Sequence, residues 1–126
     1  MFKLTKVLVV SLIALGTFAV ASDDGTELRA RLTGVGSGRA QWESEGVGTA
    51  MRSELEVQGR HLAAHASFTV TIGTNAPFSV TTNARGSFES EQRFTGTGQP
   101  VVNAGDSVTV ADASVTIVLS GVMQSH

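Results

Sequence analysis

Between Glu27 and Gln58 the chain alternates apolar and polar residues through three runs, and two glycine-rich stretches separate the runs. A period of two belongs to a strand with one buried and one wet face, so this alternation constrains the fold more than any other feature. In the first run Leu28, Ala30 and Leu32 share a parity while Glu27, Arg29, Arg31 and Thr33 take the other. The second sets Ala40, Trp42 and Ser44 against Arg39, Gln41, Glu43 and Glu45. The third sets Met51, Ser53, Leu55 and Val57 against Arg52, Glu54, Glu56 and Gln58. Residues 34–38 and 46–49 carry glycines, which accept positive φ and let hairpins close. A three-stranded antiparallel meander follows.

Like must face like on each side of such a sheet, which suggests a register. Turning the first hairpin about Gly36 sets Leu32 opposite Ala40, Ala30 opposite Trp42 and Arg29 opposite Glu43. Turning the second about Val47 and Gly48 sets Trp42 opposite Ser53, Ala40 opposite Leu55, Arg39 opposite Glu56 and Glu43 opposite Arg52. The outer face then carries a row of alternating charge, Arg29, Glu43, Arg52, each cross-strand pair contributing about 0.2–1 kcal/mol. A slip by one residue would turn the apolar set outward.

The remainder of the chain continues in short strands. Residues 59–66 are too few for an independent helix and read as a connection. Phe68, Val70 and Ile72 mark a fourth strand, Phe78 and Val80 a fifth, and Phe88 and Phe94 a sixth running from Ser87 to Phe94. Val108 and Val110 mark a seventh, and Val115, Ile117 and Leu119 an eighth. Asn83-Ala84-Arg85-Gly86 and Asn103-Ala104-Gly105-Asp106 have turn composition between them. About eight short strands with no 3.6 period predict an all-β fold, an antiparallel β-sandwich or small barrel. The threonine-valine alternations share no longer pattern and are strand chemistry, not a repeat.

Met1 to Lys6 is basic, Val7 to Val20 is apolar, and Ala19-Val20-Ala21 ends the run with small residues. These are the three parts of a secretory signal peptide over residues 1–21, with residues 22–126 left as a single all-β domain. The apolar run is broken by Ser11, Gly16 and Thr17 and is too short for a membrane anchor, so contact with a membrane is expected only during export. A secreted or periplasmic location follows. The chain has no cysteine, so the domain must hold itself together by its core. The strands are also too short, and their outer faces too charged, for a membrane-spanning barrel.

The whole chain carries 11 acids against 9 basic residues, and both lysines, Lys3 and Lys6, leave with the signal peptide. Without lysine or a run of basic residues the mature chain is a poor match for a phosphate backbone, and nucleic acid is not expected as a partner. The Gly-x-Gly-x-Gly of residues 34–38 joins two strands with no helix after it, so it reads as a hairpin turn.

Candidate chemistry rests on few residues. His61 and His65, four apart, would fall on one side of a helical or extended backbone and could ligate a metal through neutral imidazoles, with a third ligand such as His126 needed to complete a site. Asp23, Asp24, Asp106 and Asp112 invite calcium, but their spacing fits no EF-hand, and Asp106 and Asp112 are placed to bond their own turns. Glu43, Glu45, Glu54, Glu56, Glu89 and Glu91 could supply a glycosidase-type carboxylate pair. Their parity puts them on the solvent face among arginines, as solvated ion pairs. No nucleophile motif is present, and Trp42, Phe68, Phe78, Phe88 and Phe94 fall on inward parities, which removes a stacking platform for sugars.

The sequence therefore points to an exported, non-catalytic β-sandwich module for binding or adhesion, without a cofactor. Its partner would be another macromolecule or a second copy met through sheet edges that no lysine protects. The alternative is a small metal-dependent enzyme or metal-binding protein using His61 and His65.

Overall fold

The computed structural model describes residues 25–126. The expected leader at residues 1–21, with Asp23 and Asp24, lies outside the described residues. Nine strands form: β1 (Thr26–Gly34), β2 (Ser37–Glu45), β3 (Arg52–Arg60), β4 (Ser67–Ile72), β5 (Phe78–Thr81), β6 (Phe88–Thr95), β7 (Ser107–Ala111), β8 (Ile117–Val122) and β9 (Gln124–Ser125). They make one antiparallel sheet in the order β5-β4-β7-β8-β1-β2-β3-β6, with β9 beside β1. The sheet curls until its two edge strands touch, near the 82–87 turn that joins them, where the Asn83 N–H donates to the Ser87 carbonyl at 2.9 Å. No ladder links β5 to β6, so the result is a barrel closed except along one seam.

Parity sorts this sheet as expected. Leu28, Ala30, Leu32, Ala40, Trp42, Leu55, Val57, Phe68, Val70, Val108 and Val110 are all buried in one core. Trp42 is only 2% exposed and its ring tilts against Phe94 with centroids 6.2 Å apart. Phe88 covers Gly59, where an added Cβ would lie 2.3 Å from the ring, so a strand position that looks empty in sequence is filled by a neighbour.

The register differs from the expected one in both hairpins. Leu28 faces Trp42, Ala30 faces Ala40 and Leu32 faces Gly38. Trp42 in turn faces Leu55, Ala40 faces Val57 and Glu45 faces Arg52. Each hairpin has moved by two residues, which keeps every side chain on its expected face. Loop length is the cause. β1 and β2 are joined by Val35 and Gly36 alone, a tighter turn than the glycine run suggests, while a 3-10 turn at Gly48–Ala50 lengthens the second connection. The expected Arg29, Glu43, Arg52 row therefore does not form: Glu43 lies between Glu27 and Glu54 instead.

The eighth strand also starts later than expected. Val110 pairs with Leu119 but Ala111 pairs with Ile117, so Val118 bulges out of the ladder. A bulge inserts one residue and inverts parity beyond it. Leu119 stays fully buried, whereas Ile117 is 58% exposed and Val115 is 83% exposed in the preceding turn. Gly34 accommodates the bulge, since a Cβ there would meet the Val118 carbonyl oxygen at 2.0 Å. The Val35 N–H donates to that same oxygen at 3.0 Å. Past Val122 the chain keeps its offset against β1, with Thr33 paired to Ser120 and Leu28 to Ser125, and the fully buried Met123 sits between the two segments.

Two connections cross the ends of the barrel. At one end residues 61–66 pass from β3 to β4, with the Thr82 hydroxyl donating to the Ala63 carbonyl at 2.6 Å and accepting from the Ala66 N–H at 2.9 Å. At the other, residues 96–106 pass from β6 to β7. The Gln99 amide nitrogen donates to the Met51 and Gly96 carbonyls at 2.9 Å each, and its carbonyl accepts from the buried Ser53 hydroxyl. Asn75 then ties the same connection to the β4–β5 turn, exchanging hydrogen bonds with the Val101 backbone at 2.8 and 3.1 Å.

Candidate functional site

The polar parities of β1, β2, β3 and β6 face outward together and form the most heavily charged surface of the described residues. Strand pairing arranges them in rows across the sheet. One row reads Glu27, Glu43, Glu54, Arg93; the next reads Arg29, Gln41, Glu56, Glu91; a third reads Arg31, Arg39, Gln58, Glu89. Acids dominate the end near Glu45 and Thr26, and arginines the end near the β1–β2 turn.

Hydrogen bonds tie the acidic rows together. The Arg29 guanidinium donates to Glu27 at 2.8 and 3.1 Å, and the Gln41 amide donates to Glu27 at 3.2 Å and to Glu43 at 2.6 Å. Arg93 donates to Glu54 at 3.3 Å and to Glu91 at 3.5 Å, while Arg52 lies 3.5 Å from Glu45. The neighbouring Glu91 carboxyl first, and Arg93 second, hold Glu54 below the ordinary carboxylate value of 4.5. Proximity to Glu54 is the main cause that lifts Glu91 above 4.5, against the pull of Arg93. Arg93 is held more firmly in its charged form, chiefly by its bond to Glu54. Where this face meets the sheet end, Glu27, Glu43, Glu54, Arg52, Arg93 and His126 border an open cleft of about 750 Å³.

The expected ion pairing of the glutamates is present, but Arg29 and Arg52 change partners, to Glu27 and Glu45, and only Arg39 keeps the expected one. Arg39 reaches Glu56 at 3.8 Å, now as a diagonal neighbour instead of a directly opposite one. Glu54 and Glu91 lie diagonal to each other across the β3–β6 ladder with Arg93 donating to both, a neighbourhood set by a strand pairing that sequence reasoning did not supply.

His61 and His65 stand at the other end of the barrel, exposed in the connection from β3 to β4. Their backbones have φ of 61° and 52°, so the segment is neither helical nor extended, and the premise that spacing of four aligns the rings does not apply. The Leu62 N–H donates to the Gly86 carbonyl and the His65 N–H to the Asn83 carbonyl, so the backbone bends here to dock on the 82–87 turn. His126 is remote from both, its N–H donating to the Glu27 carbonyl at 3.2 Å where β1 begins. Among the described residues no group of three or more His, Cys, Asp or Glu is placed to hold a metal ion. Asp106 and Asp112 serve their turns as expected: Asp106 accepts from the Asn103 N–H at 2.8 Å, and Asp112 accepts from Ser114 and Thr116 at 2.9 and 3.0 Å.

No helix among the described residues is long and apolar enough to cross a membrane. No protein-family model matches the chain and no curated protein matches it, so the reading of function rests on the surface itself.

Proposed function

We propose that the protein is an exported, non-catalytic binding module whose contact surface is the outer face of β1, β2, β3 and β6. The observation that carries this reading is the pre-ordered charge on that face. Gln41 and Arg93 each hold two carboxylates in place, so a partner need not pay to order them. Among the described residues Trp42, Phe68 and Phe88 are buried and Phe78 and Phe94 pack against the core, which leaves charge and amides as the means of recognition. The partner is a macromolecule with a complementary charge pattern, and electrostatic complementarity of this kind sets specificity and association rate more than affinity.

The test is capture from the compartment to which the protein is exported, using parent protein and a Glu43→Lys, Glu54→Lys variant of the same melting temperature. A partner that is retained by the parent, lost by the variant and released by salt supports the reading. Identical captured proteins for both would overturn it.

A further inference from the structure

Three arginines distant in sequence meet at the hairpin end of the outer face. Arg31 and Arg39 stand directly opposite on β1 and β2, and Arg60 on β3 faces Ser37, one pleat along from Arg39. Directly opposed residues have Cβ atoms about 4.5–5.5 Å apart and diagonal ones about 7–8 Å, within reach of guanidinium groups. With Thr33, Ser37 and Gln58 they line a depression of about 290 Å³.

The charge balance there is one-sided. Arg39 has Glu56 at 3.8 Å, but among the described residues neither Arg31 nor Arg60 makes an ion pair. The Gln58 amide nitrogen is committed to Glu56 at 3.4 Å and Glu89 at 3.0 Å. Like charges directly opposite on a sheet oppose its formation, and here they do so in a chain with more acids than bases. An anion seated among them reverses the sign of that interaction. Planar guanidinium forks match the oxygens of sulfate and phosphate two at a time, and the Thr33 and Ser37 hydroxyls border the same depression as further donors.

We propose that Arg31, Arg39 and Arg60 form a binding site for a tetrahedral oxyanion, sulfate or phosphate, taken as the free ion or as the monoester group of a small molecule. This site lies at the opposite end of the face from the acidic rows and does not depend on the binding-module reading.

Protein purified from cells expressing the full chain is titrated with sodium sulfate, inorganic phosphate and glycerol 3-phosphate, each against sodium chloride of equal ionic strength. A saturable rise in Tm is expected, with amide chemical-shift changes confined to the β1–β2 turn and the end of β3. The Arg31→Gln, Arg39→Gln double variant should bind at least tenfold more weakly while melting close to the parent without anion, because the like-charge contact and the exposed Arg39–Glu56 pair are lost together. Arg60→Gln, at a strand end, serves the same purpose if the double variant fails to fold, and Arg85→Gln in the 82–87 turn should keep the parent response. Tighter saturation by the monoester assigns the site to a small-molecule ester; equal or tighter saturation by the inorganic ion assigns it to the free ion. Chloride matching sulfate, no saturable response to any of the three anions, or variants that bind as the parent does would each overturn the proposal.

Discussion

Val115 holds a left-handed backbone, φ 65°, with its side chain in water. The Asp112 carboxylate and carbonyl fix the turn around it, with the Val115 N–H donating to the Asp112 carbonyl at 2.9 Å. A β-branched residue gains nothing there and costs about 1–2 kcal/mol against a residue that adopts the region freely. Val115→Gly should raise stability by about 1 kcal/mol after the entropy of the added glycine is counted, read as a higher urea midpoint. A lower midpoint would contradict the geometry. His61 and His65 occupy the same backbone region, and added zinc separates their two readings. A bound ion would raise Tm in the parent and not in a His61→Ala, His65→Ala variant; their exposed placement leads us to expect no rise in either. The closeness of Glu54 and Glu91 has its own pH signature. Glu54, lowered in the fold, contributes stability present above 4.5 and lost as pH falls through its folded value. Glu91, raised in the fold, contributes stability present below 4.5 and lost as pH rises through its folded value. Glu91→Gln supplies a permanent donor to Glu54, so the loss above pH 4.5 should disappear from urea midpoints while the loss on acidification remains.

The elements were legible wherever parity alone decides. Leu28 to Val57 and Phe68 to Val80 sort inward as their spacing predicts, because one dry face fixes which side of each strand is buried. Register was not legible, since a shift by two satisfies the same pattern and only turn length chooses between them: Val35 and Gly36 on one side, the 3-10 turn on the other. Ile117 was misplaced for a different reason. The bulge at Val118 depends on contact with Gly34 from another strand, so no local pattern announces it. Gln99 sits in a stretch, residues 95–100, whose glycines and proline give only a loop by composition, yet its amide joins Met51, Ser53 and Gly96 beneath the barrel. Gln99→Ala would leave a buried hydroxyl and a carbonyl without partners, at about 1–3 kcal/mol for each group that water does not reach. We expect a loss of about 2 kcal/mol in chemical denaturation, and unchanged stability would show that solvent replaces the side chain.

At the scale of the molecule, strand order is what the sequence withheld. The pairing of β3 with β6 and of β4 with β7 skips two intervening strands in each case, and short-range patterns carry no information about it. The candidate site suffered most, because the outer face becomes a four-strand surface only through β6, and the arginines at its far end become neighbours only through the observed register. The seam follows from the same topology. Backbone groups of β5 and β6 that point toward each other have no ladder partner, and the crossing connections hold that side by a few side-chain bonds, Asn75 to Val101 among them. Deuterium labelling should therefore find the earliest exchange among amides pointing into the gap, and the slowest in β1 and β8, which are paired on both flanks and lie farthest from the seam. Uniform exchange around the wall would mean that the gap is sealed in solution. Such a wall behaves as a stave vessel with one joint left unglued: it can gape along that line without unpicking any other, so the first partly open form keeps its charged outer face intact.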